Sequence, residues 1–154
     1  MARRFIPRFG TCRREATRKL PKRELDEMSV GKTVLIVDDS QVFRASMKFF
    51  LERAGFSVAE ACDGADGLRM LGKLEGSGAK PSMILTDINM PRMDGITFVK
   101  EVKKTGHRFT PILVLTTESQ NESKMAGKAA GATGWLVKPF DEKQLIEVVR
   151  KFVR

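Results

Sequence analysis

The chain has 154 residues, 42% hydrophobic and 31% charged, which suffices for one well-buried core and falls short of two ordinary domains. No stretch approaches the roughly 18 to 20 uncharged apolar residues of a membrane-spanning helix; Cys12 and Cys62 lack metal-ligand spacing and His107 is the lone histidine, so zinc sites, disulfide-dense scaffolds and His-rich centres are excluded and a reducing, cytoplasmic setting is favoured. The formal net charge is +9, but residues 1–28 hold nine Lys/Arg against four Asp/Glu, while the remainder holds nineteen against fifteen.

The basic segment, residues 1–29, lacks the apolar core of a secretory signal. It reads as a flexible extension, as a short helix over residues 11–19, or as upstream sequence ahead of a true start at Met28. No base-reading motif surrounds it, so nucleic-acid binding is not expected. Residues 30–154 form the predicted domain. TVLIV (33–37) is a continuously apolar, β-branched run, as in a strand buried on both faces. Residues 42–54 follow with Val42, Ala45, Met47, Phe49, Phe50 and Ala54 near helical spacing, after Ser40 as N-cap and before Gly55 as stop. The alternation repeats: strand 56–61, helix 65–74 closed by Gly76-Ser77-Gly78, strand 82–86, helix 95–104, strand 111–116, helix 119–130 closed by Gly131, strand 133–137 and helix 141–153. Five such alternations predict an α/β fold with a five-stranded parallel sheet, doubly wound, because right-handed crossovers place helices on both faces.

In open sheets of this kind the ligand site lies beyond the carboxyl ends of the strands. The residues there are Asp38 and Asp39 after the first strand, Asp87 after the third, Thr116 and Thr117 at the end of the fourth, and Lys138-Pro139 after the fifth. Clustered carboxylates repel one another unless a proton or a cation joins them. Oxygen ligands without cysteine or histidine suit Mg²⁺, which binds one or two carboxylates and often a phosphate oxygen. A lysine and a threonine hydroxyl beside them offer donors to a phosphoryl group. Asp87, midway between the doublet and the lysine, is then the candidate nucleophile for an acyl phosphate.

VLIVDDS (34–40), ILTDINMPRMDG (84–95), ILVLTTES (112–119) and GWLVKPF (134–140) resemble, in order and spacing, the receiver domains of two-component response regulators, and most of all the stand-alone chemotaxis regulators of the CheY type. The resemblance covers residues 32–153 and implies the flavodoxin-like (βα)5 receiver fold. It implies that Asp87 is the phosphoacceptor, that Asp38, Asp39 and Asp87 bind Mg²⁺ with the backbone carbonyl of Asn89, and that Asp39 is the more direct ligand of the doublet. It further implies that Thr116 moves toward the phosphoryl group, that Lys138 contacts it and precedes a cis bond to Pro139, and that Trp135 takes the place of the usual Tyr or Phe switch residue. Glu118, Asn89 and Met90 fall where family members tune phosphoryl lifetime.

The expected function is therefore a signalling switch. Asp87 accepts a phosphoryl group from a sensor histidine kinase, and binding to a partner changes. The expected partner is a flagellar motor switch protein or another output protein, with a phosphatase as a further possible partner. A phosphorelay or kinase-regulating role is the alternative. No activity beyond self-phosphorylation from small phosphodonors and self-dephosphorylation is expected, and no membrane or nucleic-acid partner; the chain is expected to be a monomer that acts by binding another protein, because no output domain follows its fifth helix. A true aspartyl phosphatase of the haloacid dehalogenase kind is disfavoured because it carries an aspartate two residues after its nucleophile, where this chain has Asn89. Gly31-Lys32-Thr33 mimics the end of a phosphate loop but precedes its strand. His107 is expected on the surface, and Met47, Met83, Met90 and Met93 in core and loop packing.

Overall fold

The computed structural model describes residues 32–117 and 121–153. The segment 1–29 with its possible helix and Cys12, the start at Met28, Gly31, Glu118 and the first residues of the predicted fourth helix lie outside them. Five strands, β1 (Thr33–Val37), β2 (Ser57–Ala61), β3 (Met83–Asp87), β4 (Ile112–Thr116) and β5 (Gly134–Val137), alternate with five helices, α1 (Gln41–Arg53), α2 (Gly64–Gly76), α3 (Gly95–Lys103), α4 (Asn121–Ala130) and α5 (Glu142–Phe152). The strands form one parallel sheet in the order β2-β1-β3-β4-β5. The chain therefore runs outward from β1 to β2, then returns across β1 to start β3, and the order reverses between β1 and β3.

The sheet separates two cores, and strand residues alternate between them. Leu35, Val37, Ile84 and Val114 face Leu71, Leu74, Phe98, Val99 and Val102 of α2 and α3. Val34, Ile36, Met83, Leu85, Leu113 and Leu115 face Met47, Leu51, Leu145 and Val149 of α1 and α5. This explains the unbroken apolar runs of β1, β3 and β4, where both faces are covered. Helix starts follow capping chemistry: Ser40, Asp63, Asp94 and Asp141 each accept a backbone N–H from the first turn of the helix that follows, and Gln144 closes a capping box with Asp141.

Boundaries shift by a residue or two from the sequence expectation. Helix α2 continues past Leu74 to Gly76, because Ser77 caps it through its N–H and hydroxyl before Gly78 turns at φ +80°. Asp87 is the last residue of β3, paired in register with Leu115, instead of the first loop residue. Two expectations are corrected. The inward stripe of α1 is Arg44, Met47 and Leu51, whereas Val42 and Phe49 are exposed. His107 is 2% exposed, not a surface residue. Its loop turns the ring inward toward the end of α2, where Glu75 Oε2 lies 3.8 Å from Nε2. Met47 and Met83 are buried in the core, and Met90 and Met93 pack against it.

Candidate functional site

The reversal of strand order brings the ends of β1 and β3 side by side, and three carboxylates converge there. Asp38, Asp39 and Asp87 each offer a ligand oxygen, and these oxygens lie within 4.8 Å of one another. Asp38 is buried. Its Oδ1 accepts the Ser40 N–H (2.8 Å), its carbonyl accepts Arg44 Nη1 (2.6 Å), and its Oδ2 accepts Lys138 Nζ (3.0 Å). Asp39 is exposed and has no protein partner among the described residues. Asp87 is half-buried; Oδ1 accepts the Ile88 N–H (2.8 Å) and Oδ2 lies 3.5 Å from Lys138 Nζ.

Burial raises the Asp87 pKa above its ordinary value. Lys138 and the Ile88 N–H oppose the rise, and Asp38 and Asp39 add to it. A carboxylate in this setting gains from any cation that replaces lost hydration. The donor set is all oxygen, with one carboxylate free toward solvent, and it fits Mg²⁺ better than a softer ion.

Thr116 ends β4 fully buried, opposite Val137 in register. Its carbonyl accepts the Lys138 N–H (2.7 Å), and the Lys138-Pro139 bond is cis, as the motif implied. Trp135 pairs with Val114 two positions earlier, so Thr116 and Trp135 share a face of the sheet. The Trp135 ring packs against the α2/α3 core, and its buried indole N–H has no acceptor among the described residues. Asn89 lies exposed two residues beyond Asp87, on the loop leading to α3. Asp38, Asp39, Asp87 and Lys138 are thus brought together, Thr116 stands at the adjoining strand end, and Trp135 lies further down the same edge.

Several supporting residues escaped the sequence reading. Arg92, on the loop after Asp87, adopts φ +66° and pairs with the buried Asp63 carboxylate at 2.8 Å. Beside it Met93 fills the space where a side chain on Gly64 would stand. Together these contacts fasten the loop carrying Asn89 to the start of α2. Gly95 is required because a β-carbon there would overlap the Asp87 carbonyl, while its own N–H donates to the Ile88 carbonyl at 2.8 Å. Phe43 places its ring centroid 3.9 Å from Lys138 Nζ. Arg44 stands at i, i+3, i+7 with Met47 and Leu51, but α1 has apolar residues on other sides as well, so the spacing alone does not mark it as the buried polar group. Phe43 and Arg92 carried no signal, since their roles depend on partners about 95 and 29 positions away.

A doubly wound parallel sheet whose switch point holds a carboxylate cluster beside a lysine is an α/β protein equipped for a hard cation and an incoming anion. The chain belongs to the response regulator receiver domain family, whose model matches residues 34–150. The chemotaxis protein CheY4 of Vibrio cholerae is similar in structure (TM-score 0.72, 43% identity, covering 79% of this chain and 98% of that one). A CheY-like receiver domain protein of Methanospirillum hungatei is also similar (TM-score 0.69, 28% identity, 78% and 91% covered). Among curated relatives, the sensor histidine kinase CheAY of Helicobacter pylori is 34% identical over 122 residues, and the transcriptional regulatory protein PrrA of Mycobacterium bovis 37% over 130. The match takes 79% and 82% of this chain but spans only 15% of CheAY and 53% of PrrA. Residues 34–150 thus form a response regulator receiver domain. Among the described residues no helix is long and apolar enough to cross a membrane.

Proposed function

We propose that residues 30–154 act as a phosphorylation-driven switch and residues 1–29 as an extension to it, with Asp87 accepting a phosphoryl group from a sensor histidine kinase. The observation that carries this reading is the contact of one lysine, Lys138, with both Asp38 and Asp87 inside a three-carboxylate cluster. In the transfer, an Asp87 carboxylate oxygen attacks phosphorus, the bond from phosphorus to the donor's imidazole nitrogen breaks, and the electron pair stays on that nitrogen. The product is an acyl phosphate, which water later hydrolyses to restore the carboxylate. Asp38, Asp39, Asp87 and the Asn89 carbonyl would hold Mg²⁺, which neutralises charge on the phosphoryl oxygens. The Ile88 N–H fixes the plane of the Asp87 carboxylate. Lys138 meets one phosphoryl oxygen and the Thr116 hydroxyl another. As Thr116 moves, the Trp135 ring changes position and alters the surface built by α4, β5 and α5. The group shifts populations only by stabilising one state more than the other.

The output is taken to be another protein, in chemotaxis a flagellar motor switch component, in the cytoplasm. The 43% identity to CheY4 supports chemotaxis. The 37% identity to PrrA supports a second reading, in which the same switch serves a different output. The protein is a switch and not a turnover enzyme beyond its own phosphorylation and dephosphorylation. The test is to add Mg²⁺ and acetyl phosphate, look for one labile phosphoryl group by intact mass, and follow Trp135 fluorescence. Asp87→Asn abolishes the adduct, and Lys138→Ala permits it but uncouples the fluorescence change. An adduct on Asp87→Asn would refute the assignment. Pull-down with and without phosphodonor, against motor components, separates chemotaxis from relay.

A further inference from the structure

The chemistry proposed for Asp87 is assisted by the Lys138 ammonium at the rim of the cluster when a phosphoryl group arrives. A lysine is poorly suited to stay there, because its four-carbon stem has many rotamers and its head is strongly hydrated. The two carboxylates that now hold it, Asp38 at 3.0 Å and Asp87 at 3.5 Å, are both claimed by that chemistry, one as ligand and one as acceptor. A third contact is independent of either carboxylate's charge. Lys138 Nζ lies 3.9 Å from the centroid of the Phe43 ring, well within the range of cation–π attraction. The ring is itself fixed. Phe43 sits in the first turn of α1, where its N–H donates to the capping Ser40 hydroxyl, and Phe140 packs edge-on against it at 5.7 Å and 77°. The Lys138 side chain is only 15% exposed, so the contact is largely out of competition with water.

We propose that Phe43 is a positioning residue for Lys138, its ring face holding the ammonium beside Asp87 whatever the charge state of the carboxylates. The proposal rests on the reading of Lys138 as the phosphoryl contact and adds the group that keeps it in place. Leucine at position 43 fills similar volume without the negative ring face; tyrosine retains it.

The experiment has two readouts on the full chain. By NMR of isotope-labelled protein without phosphodonor, the ring current shifts the Lys138 ε-methylene protons upfield. The shift is lost in Phe43→Leu and restored in Phe43→Tyr. By intact mass, Phe43→Leu slows phosphorylation by acetyl phosphate about five-fold, a factor within the range of a cation–π contact. Phe43→Tyr restores the rate, and in a Lys138→Met background Phe43→Leu adds no further loss. An unmoved Lys138 signal in Phe43→Leu, or an equal slowing in both backgrounds, overturns the proposal. A Lys138→Met protein that phosphorylates at the unsubstituted rate instead overturns the reading of Lys138, and the NMR shift then decides by itself whether Phe43 places it.

Discussion

Gly127→Ala sets two well-characterised effects against each other. In a helix interior the change from glycine to alanine ordinarily stabilises by about 0.8–1 kcal/mol. At this position in α4 the added β-carbon would stand 2.7 Å from Trp135 Cζ3 and 3.4 Å from Cε3, with Ile96 Cδ1 at 3.6 Å. Carbon atoms in ordinary contact sit about 3.5–4.0 Å apart, so the indole has to retreat by roughly 1 Å, and a rigid ring has no flexible end that can bend aside. Overpacking of this kind costs about 1–3 kcal/mol, which cancels or exceeds the helix gain. Retreat toward the α2/α3 core is blocked by the residues already packed there, so the ring moves outward. Outward movement also hydrates the buried indole N–H, which has no acceptor among the described residues; leaving such a donor unsatisfied costs about 1–3 kcal/mol. A net bias of one or two kcal/mol changes the ratio of inward to outward ring by a factor of about 5–30.

Trp135 is the single tryptophan of the chain, so its emission is unambiguous. Without Mg²⁺ or phosphodonor, Gly127→Ala is expected to red-shift that emission and increase acrylamide quenching, with a melting temperature equal to or below that of the parent. The further signal on adding acetyl phosphate should differ from the parent's, because the ring starts from a displaced position. A variant that melts higher, with emission and quenching unchanged, would show that helix propensity outweighs the contact and that the glycine notch does not hold the ring.

Asp87→Asn tests the electrostatics separately from the chemistry. Because burial, above all, lifts the Asp87 pKa over its ordinary 3.8, the folded protein binds this proton more tightly than the unfolded chain. Its contribution to stability is full below that ordinary value and is lost as pH rises through the raised pKa. At neutral pH without divalent cation the ionised carboxylate is a cost, so Asp87→Asn should melt higher than the parent, and the difference should vanish by about pH 3; a difference independent of pH would refute this. Arg92→Ala and Arg92→Gly both remove the ion pair to buried Asp63, but at φ +66° glycine is released from the left-handed strain that alanine keeps, about 1–2 kcal/mol. Urea unfolding should therefore rank parent, then Arg92→Gly, then Arg92→Ala, and the reverse order of the two variants would show that the backbone at 92 is not held in that conformation.

The parts of this fold that were legible in the sequence are those governed by local chemistry. TVLIV and ILVLT run apolar without alternation because both faces of their strands are covered, and Ser40 caps α1 with a side chain that reaches only three residues. The strand-end rule found Asp38, Asp39, Asp87, Thr116 and Lys138 for the same reason: once five strands are parallel, their carboxyl ends must share one edge. What failed was orientation around an axis. Helix α1 has apolar residues on more than one side, and period alone did not reveal that Arg44 faces inward to the Asp38 carbonyl while Val42 and Phe49 face water. His107 was misplaced because a polar residue in a turn was assumed to point outward, whereas this turn folds back under α2. Phe43 against Lys138 and Gly127 against Trp135 are matches between distant elements, and no periodicity encodes a pairing of that kind.

The geometry also bears on where a disturbance at the site would travel. Lys138 reaches Asp38, 100 positions away in the chain, by crossing the ends of β4 and β3. Any anion that draws the Lys138 ammonium and the Thr116 hydroxyl together therefore acts on β4 and β5, which are also joined there by the Lys138 N–H to the Thr116 carbonyl. Strands β1 and β3 are poor candidates to yield, because each has a hydrogen-bonded neighbour on both sides and β1 is buried throughout. Strand β5 has one neighbour and is half-exposed along its length. It carries Trp135, whose indole sits against Gly127 of α4. The compliant edge of the sheet thus carries an indole N–H that has no acceptor among the described residues, and rearrangement costs least along β5 and α4.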